Sequence, residues 1–340
     1  MTGSGLSARA GFWIALLLLV AALVAAFGIG RLPVGLGEAL RVIVARLTGG
    51  TADVAPTVET VVLAIRGPRI LAAVLIGAAL SVAGTAFQGL FRNPLVSPDL
   101  LGASSGAALG AVVGIYANLG VIGIQAAAFT GGLAAVAAVY AIGSRLGRHD
   151  PVLVLILTGV VIGSLLGAGV GLMKYLADPY DQLPAMTFWL LGSLAAAHRL
   201  DLAALGLPVG AGTLALVLLR HRMNVLSLPD EEARALGLPT GPLRLAVIVA
   251  ATLVTSAAVA AAGVIGWVGL VVPHVARFLV GPDFGRLVPV AALLGAGYLL
   301  LVDTVARSAA SVEIPLGILT AVIGTPVFIW LLAGAHRSWS

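Results

Sequence analysis

Long runs of apolar residues, separated by short loops that contain proline or glycine, restrict the possible folds of this sequence more than any other feature. Each run approaches the length of about 20 residues that a helix needs to cross a bilayer core about 30 Å thick. Apolar periodicity and helix breakers predict ten spans, at 12–29, 68–91, 99–117, 121–144, 151–175, 201–220, 243–262, 265–280, 287–304 and 315–334. Only 10% of the residues are charged, whereas a soluble domain carries about 25%. The sequence therefore predicts an all-α polytopic membrane protein, with one transmembrane domain over residues 1–340 and about ten transmembrane helices.

Two further segments are not predicted to span the membrane, and the first predicted span has an alternative interpretation. Residues 33–50 have the pattern of an amphipathic helix at the membrane interface. Residues 183–194 are apolar but too short to cross, which predicts a re-entrant or surface helix. The first run, 12–29, resembles a signal peptide with Arg9 as its basic part, but its length and the many spans after it favour a retained first span.

The positions of the basic residues favour one orientation by a small margin. Ten spans place both termini on the same side of the membrane. We predict that this side is the cytoplasm, because eleven of the 19 basic residues then lie inside and eight lie outside. The predicted cytoplasmic set contains eleven arginines: Arg9, Arg92, Arg145, Arg148, Arg220, Arg222, Arg234, Arg244, Arg277, Arg286 and Arg337.

Glycine recurs at every fourth position in two predicted spans. The first series includes Gly102 and Gly106, and the second is Gly159, Gly163, Gly167 and Gly171. This spacing places small residues on one face of a helix, where they allow close approach of another helix. The same faces also suit the wall of a translocation path, and both interpretations stay open.

The sequence lacks the motifs of several kinds of enzyme. A phosphate-binding loop of the G-x-x-x-x-G-K-[ST] type is absent, and the only lysine, Lys174, follows no such glycine loop. Cysteine is absent, and the zinc-protease and serine-hydrolase motifs are not found either. The arginines sit singly at the ends of apolar runs, unlike the basic surface of a nucleic-acid-binding domain. We therefore predict a transport protein that is not an enzyme, and that binds no metal, cofactor or nucleic acid itself.

One short segment, 221–242, interrupts the apolar sequence with charge. Asp230, Glu231 and Glu232 suit the first turn of a helix, and Gly237 with Pro239 suits its end. A helix of one or two turns is unstable alone in water and needs a surface to pack against. The alternative is a solvated connecting turn.

Several stretches resemble the permease family that imports iron-siderophores, haem and cobalamin, the membrane subunits of type II ATP-binding-cassette importers. The longest is RGPRILAAVLIGAALSVAGTAFQGLFRNPLVSPDLLGASSGAALG at 66–110. FWLLGSLA, MNVLSLPDEEARALGLP, the block at 263–307 and EIPLGILTAVIGTPVFIWLL follow in the same order. Residues 1–60 match only in character.

The resemblance implies partners as well as a fold. It implies a dimer of two permease copies in the bacterial inner membrane, two separate ATPase subunits that use ATP and Mg²⁺, and a periplasmic or lipid-anchored substrate-binding protein. It assigns the 221–242 loop to the ATPase contact. The residues to which this coupling role is carried over are Asp230, Glu231, Glu232, Arg234, Leu236 and Gly237.

The resemblance also implies a role for arginines on the outer side. Arg66, Arg69 and Arg307 match positions that face acidic residues of the binding protein, and arginine grips carboxylates with a planar fork of donors. The alternative is that they are ordinary interfacial anchors. Substrate entry is expected between the fifth spans, lined partly by Gly159–Gly171.

The sequence leaves the substrate open. A metal chelate (ferric siderophore, haem or cobalamin) is the main expectation, and a molybdate-type oxyanion is the alternative within the family. A proton-driven secondary transporter that uses Asp303, Glu313 or His274 is the rival from another class. The glycine series and the matched docking positions disfavour a structural or sensory membrane protein.

Overall fold

The computed structural model describes residues 8–30, 32–146 and 151–336, and its regular elements there are all helical. The α-helices are α1 Ala8–Gly28, α2 Leu36–Thr48, α3 Pro56–Thr60, α4 Gly67–Leu90, α5 Ala103–Tyr116, α6 Val121–Leu146, α7 Pro151–Leu176, α8 Gln182–Leu191, α9 Arg199–Leu218, α10 Arg220–Leu226, α11 Asp230–Ala235, α12 Thr240–Ala262, α13 Val268–Val280, α14 Phe284–Ser308 and α15 Leu316–His336. A π-helix, Val61–Arg66, joins α3 to α4, and a 3-10 turn, Pro98–Leu101, precedes α5.

The predicted spans coincide with helices of the structure. Within the described ranges, seven helices are long and apolar enough to cross a membrane: Ala8–Gly28, Pro56–Leu90, Val121–Leu146, Val152–Leu176, Asp201–Leu218, Thr240–Ala262 and Phe284–Ser308. Shorter apolar helices, Ala103–Tyr116, Val268–Val280 and Leu316–Leu331, lie at the other predicted positions. The all-α polytopic class is confirmed, and the count of ten crossings stays a prediction. Arg148 and Arg337, which entered the orientation argument, lie outside the described residues.

The second long helix begins earlier than the sequence predicts. The predicted span starts at residue 68, yet helical structure runs without a break over Pro56–Leu90. Pro68 removes one backbone donor and crowds the preceding turn. The wider π-turns of Val61–Arg66 lie directly before it, and the amide of Gly67 bonds to the carbonyl of Val62, five residues back. The chain thus passes the proline without ending the helix.

The non-spanning segments are short helices, as expected. Residues 33–50 contain α2, whose Leu40 and Leu47 side chains are exposed, which fits a helix at the membrane interface. Residues 183–194 contain most of α8. The first predicted span is α1, and Gly297 of α14 lies against its residue Leu19, so α1 packs as part of the bundle.

Burial separates central helices from peripheral ones. In α4 and α12, 78% and 72% of the most apolar 18-residue window is buried, against 11% in α7. Both central helices are rich in alanine, and α4 also contains four glycines; such small residues let neighbouring backbones approach closely. Gly77 of α4 meets Gly295 of α14 in this way.

The tightest of these contacts predicts a large effect of one methyl group. A Cβ added at Gly84 of α4 would overlap the backbone carbonyl of Gly269, which has no flexible side chain to move aside. We expect Gly84→Ala to destabilise the protein by about 1–3 kcal/mol, the usual cost of overpacking. Gly210→Ala adds the same methyl group to α9 where nothing lies within 4 Å, and should be neutral or slightly stabilising. Thermal unfolding in detergent measures both, and equal melting temperatures would refute the close packing.

Candidate functional site

The charged segment 221–242 contains most of α10, all of α11 and the start of α12, at the end of the bundle where α4 terminates. In α10, Met223 and Leu226 are buried, and Ala233 is the buried residue of α11. The amide of Gly237, which has φ +79°, bonds to the carbonyl of Arg234 and ends the second helix. The predicted short helix with a glycine end is therefore present, and it packs against a surface as a helix of this length must.

The predicted coupling residues divide into an outward and an inward group. Glu231, Glu232, Arg234 and Leu236 are exposed, and the Leu236 side chain is 64% exposed although it is apolar. Asp230 turns inward and caps no backbone amide. Glu231, Glu232 and Leu236 thus lie on the exposed side of α11.

Asp230 joins two arginines that the sequence alone did not connect with it. Arg92 Nη2 lies 3.1 Å from Asp230 Oδ1, and Arg244 donates to the same oxygen. Arg92 Nη1 also donates to the carbonyl of Leu228 at 3.0 Å. Both arginines follow or begin a predicted span and were assigned only to the cytoplasmic set. The one available signal was that the predicted topology places both arginines and the acidic loop on the same side of the membrane.

A second set of polar contacts supports this end of the molecule. Asp283 accepts from the amide of Arg286 at 3.0 Å and caps α14. Asn224 of α10 donates to Asp283 at 2.7 Å and accepts from the amide of Phe284 at 2.8 Å. The loop helix α10 is thereby fixed to the start of α14. Sequence reasoning did not single out either residue, although Asp before a helix is a recognisable capping signal.

The three predicted docking arginines meet at the opposite end of the bundle. They line a cleft of about 260 Å³ together with Leu32, Val61, Ile65, Ile70 and Glu313. The 23 residues that separate Arg69 from Arg92 along α4 correspond to about 35 Å at 1.5 Å per helical residue. The sites that contain Arg69 and Arg92 therefore lie at the two ends of one helix.

These arginines are engaged inside the protein. Arg69 donates to both oxygens of Asp303 at 3.0 Å through Nε, and Nη1 donates to Glu313 at 3.1 Å. Arg66 is 5% exposed and donates to the carbonyls of Phe27 and Leu32. The structure thus brings the arginines together, but it places their guanidinium groups on internal partners.

Arg307 completes this cluster. Its Nη2 donates to the carbonyl of Ala26, and its Nε lies 3.7 Å from Asp303. Three arginines and two carboxylates leave the cluster with one net positive charge. A cationic cleft with apolar walls suits a carboxylate from a second protein.

The residues of the proton-driven alternative are found in different settings. Asp303 is 1% exposed and paired with Arg69. Glu313 also pairs with Arg69. His274 stacks edge-on against Phe278 with ring centroids 5.2 Å apart. The two carboxylates of this alternative are thus held in ion pairs with Arg69.

The two glycine series have different structural roles. Gly106 packs against Gly131 of α6, but Gly102 lies before α5 in the left-handed region, with φ +79°, and does not belong to a helical face. The expectation of one continuous glycine face from 102 was therefore wrong. Such a φ costs glycine little, because glycine has no Cβ.

The second series is packed at one end and open at the other. Gly159 lies against the carbonyl of Leu100, whereas Gly167 and Gly171 have nothing within 4 Å in this chain. Gly163 contacts Ser105 of α5, so within the described residues the first two glycines of this series are explained by packing. The open part of α7 is available to lipid, to a second copy or to a translocation path.

Comparison with known proteins extends over most of the chain. A model of the FecCD transport family matches residues 17–334. A molybdate import system permease protein, MolB of Haemophilus influenzae, is 39% identical over 312 residues, which cover 92% of each chain. A cobalamin import system permease protein, BtuC of Halobacterium salinarum, is 43% identical over 277 residues, 81% of this chain and 74% of the relative. A solved inward-facing structure of a metal-chelate type ABC transporter superposes with a TM-score of 0.86 at 37% identity, covering 95% of this chain and 98% of the other.

Proposed function

The chain belongs to the FecCD transport family, and from that membership we propose that it is the multi-pass permease subunit of an ATP-binding-cassette importer for a metal chelate. The observation that carries the proposal is the placement of two charged sites at opposite ends of α4. The α11 site presents an exposed acidic and apolar surface, which suits an ATPase. The arginine cleft at the other end suits a substrate-binding protein.

The proposed assembly contains two copies of this chain, two ATPase subunits and one binding protein in the bacterial inner membrane, with both termini in the cytoplasm. The open glycines of α7, Gly167 and Gly171, support a path between the two copies, because they leave that helix face free of side chains. The mass of the purified complex tests the stoichiometry. A complex that contains one permease copy would contradict it.

The proposed substrate is a metal chelate, such as cobalamin, haem or a ferric siderophore. Similarity to the cobalamin permease and to the metal-chelate transporter supports this class. Molybdate is the second candidate, because the molybdate permease matches over 92% of this chain. The described spans contain few polar side chains that could select between them, so the proposal places recognition in the binding protein.

Calorimetry with the substrate-binding protein that docks on this permease tests the substrate class. We expect saturable binding of one chelate among haem, cobalamin and ferric siderophores, and ATP-driven uptake of the same chelate by the reconstituted complex. Binding and uptake of molybdate alone would contradict the chelate proposal and support the second candidate.

The internal pairing of Arg69 predicts that Glu313 competes with the binding protein. The Glu313 side chain is 28% exposed and occupies the guanidinium that a docking carboxylate needs. Glu313→Gln removes this competitor and raises the net charge of the cluster by one unit. We expect the affinity for the binding protein to rise several-fold, mainly through faster association.

Surface-bound binding protein and permease in nanodiscs give the rates directly. Glu59→Gln is the matched control, because Glu59 is exposed on α3 and forms no part of the cleft. The control should leave docking unchanged. Weaker docking, or no change, in Glu313→Gln would contradict competition at Arg69.

A further inference from the structure

The inward-facing Asp230 has a role that its exposed neighbours do not share. We propose that Asp230, Arg92 and Arg244 form a coupling triad that carries the movement of α11 into the two central helices. The proposal rests on the importer function proposed above, and it assigns Asp230 as a positioning residue. Glu231 and Glu232 remain the residues that face the ATPase.

The triad ties the start of α11 to its surroundings at three points. Asp230 Oδ1 accepts from Arg92 Nη2 at 3.1 Å and from Arg244, and the carbonyl of Leu228 accepts from Arg92 Nη1 at 3.0 Å. A helix of six residues has too few internal hydrogen bonds to keep its position alone. Its orientation therefore depends on these charge-assisted contacts, which are stronger and more directional than neutral ones.

Arg92 connects the triad to α4 through an unusual backbone conformation. It follows the last turn of α4 with φ +52°, a region in which glycine is the common residue. The amide of Arg92 bonds to the carbonyl of Gly89 at 3.3 Å, and that of Asn93 to the carbonyl of Gln88 at 3.2 Å. A non-glycine residue persists in this conformation where its surroundings determine it. Here the side chain reaches Leu228 and Asp230, which glycine could not do.

Arg244 connects the triad to α12. Its side chain is 9% exposed, and it lies in the second turn of that helix. Asp230 supplies the carboxylate for this buried cation, and burying a charge without a partner is unfavourable. Since α4 and α12 are the two most buried spans, a displacement of α11 acts on the centre of the bundle.

Helix α4 also connects the triad to the other end of the protein. Arg69, near the start of α4, belongs to the arginine cleft, and Arg92 follows the end of the same helix. A movement that α11 imposes on Arg92 therefore reaches the cleft through one continuous helix. This arrangement predicts that breaking the triad separates ATP hydrolysis from transport, whereas damage to the outward face separates the subunits.

The test compares assembly, ATP hydrolysis and uptake in the complete reconstituted complex. We expect Asp230→Asn to retain the ATPase subunits and hydrolyse ATP, while uptake per ATP hydrolysed falls at least tenfold. Arg92→Gln is the second variant, because Arg92 is partly exposed and its replacement leaves Arg244 paired with Asp230. It should lower the same ratio, and Asp230→Glu should recover part of it.

Each other outcome overturns the triad. Loss of the ATPase subunits in Asp230→Asn and Arg92→Gln would make Asp230 part of the docking surface. An unchanged ratio of uptake to hydrolysis in Arg92→Gln would show that these contacts are structural only. This conclusion would hold even if Asp230→Asn failed to fold. Failure of the importer function itself is distinguishable, because the unmodified complex would then show no ATP-driven uptake.

Discussion

Arg69→Met is expected to cost about 3–5 kcal/mol of folding stability, the usual penalty for removing one partner of a buried ion pair. Asp303 is 1% exposed and accepts from Arg69 through both of its carboxylate oxygens. Arg307 cannot replace this partner in place, because its Nε lies 3.7 Å from the carboxylate. The variant would therefore leave a buried carboxylate without a direct donor.

The double variant Arg69→Met/Asp303→Leu is the matched control. It replaces both buried charges by apolar groups of similar size, a change that is often neutral or stabilising. Thermal unfolding in detergent should show a large loss for Arg69→Met and recovery of most of it in the double variant. A single variant as stable as the unmodified protein would contradict the internal ion pair.

The docking role of Arg69 needs a test that does not break its ion pair with Asp303. Replacing Arg69 by glutamate would place another acid beside Asp303 and Glu313, so lost docking would also reflect lost folding. Glu313→Gln changes the charge of the same cleft, and Asp303 keeps its ion pair with Arg69. It therefore separates docking from stability.

Glu231→Lys/Glu232→Lys is expected to detach the ATPase subunits. Both side chains are exposed beside Leu236, so reversing them changes the surface charge by four units without opening the core. Like charges across an interface cost several kcal/mol. Co-purification of the ATPase should fall at least tenfold, and ATP-driven uptake should be lost with it.

Glu59→Lys provides the control for this pair, since it reverses an exposed helical glutamate outside the 221–242 loop. It should leave the ATPase bound. Normal co-purification with Glu231→Lys/Glu232→Lys would remove the docking role from α11, whatever the control shows. If the ATPase stays bound but uptake per ATP hydrolysed falls, Glu231 and Glu232 would instead share the positioning role proposed for Asp230.

The sequence predicted the elements better than the contacts between them. Apolar runs mark helices because a bilayer core requires about 20 apolar residues in succession, and the predicted ten positions coincide with long or short apolar helices. The charged segment before 243 likewise predicted a short helix that ends at Gly237, and the structure contains it. Both predictions depend on neighbours in sequence.

Contacts between distant residues could not be predicted in the same way. Arg69 and Asp303 are 234 positions apart, and Arg92 and Asp230 are 138 apart. Uniformly apolar helices carry little information about which faces meet, because each face is compatible with lipid and with protein. Asp303 was therefore considered only as a residue of the proton-driven alternative, and Asp230 was grouped with Glu231 and Glu232 of the coupling loop.

The glycine positions illustrate the same limit. A spacing of four predicts one face of a helix, yet Gly102 serves a turn with positive φ, Gly106 packs against α6 and Gly167 faces open space. The sequence pattern is the same in all cases. Only the three-dimensional neighbours distinguish close packing from an open surface.

Uptake by proteoliposomes that contain the permease, its ATPase and its binding protein shows whether the chain works as part of an ATP-driven importer. With ATP supplied to the ATPase side, we expect chelate uptake that requires the binding protein and stops when ATP is replaced by a non-hydrolysable analogue. A proton gradient without ATPase subunits should drive no uptake. Uptake driven by that gradient alone would contradict ATP-driven import and support a secondary transporter.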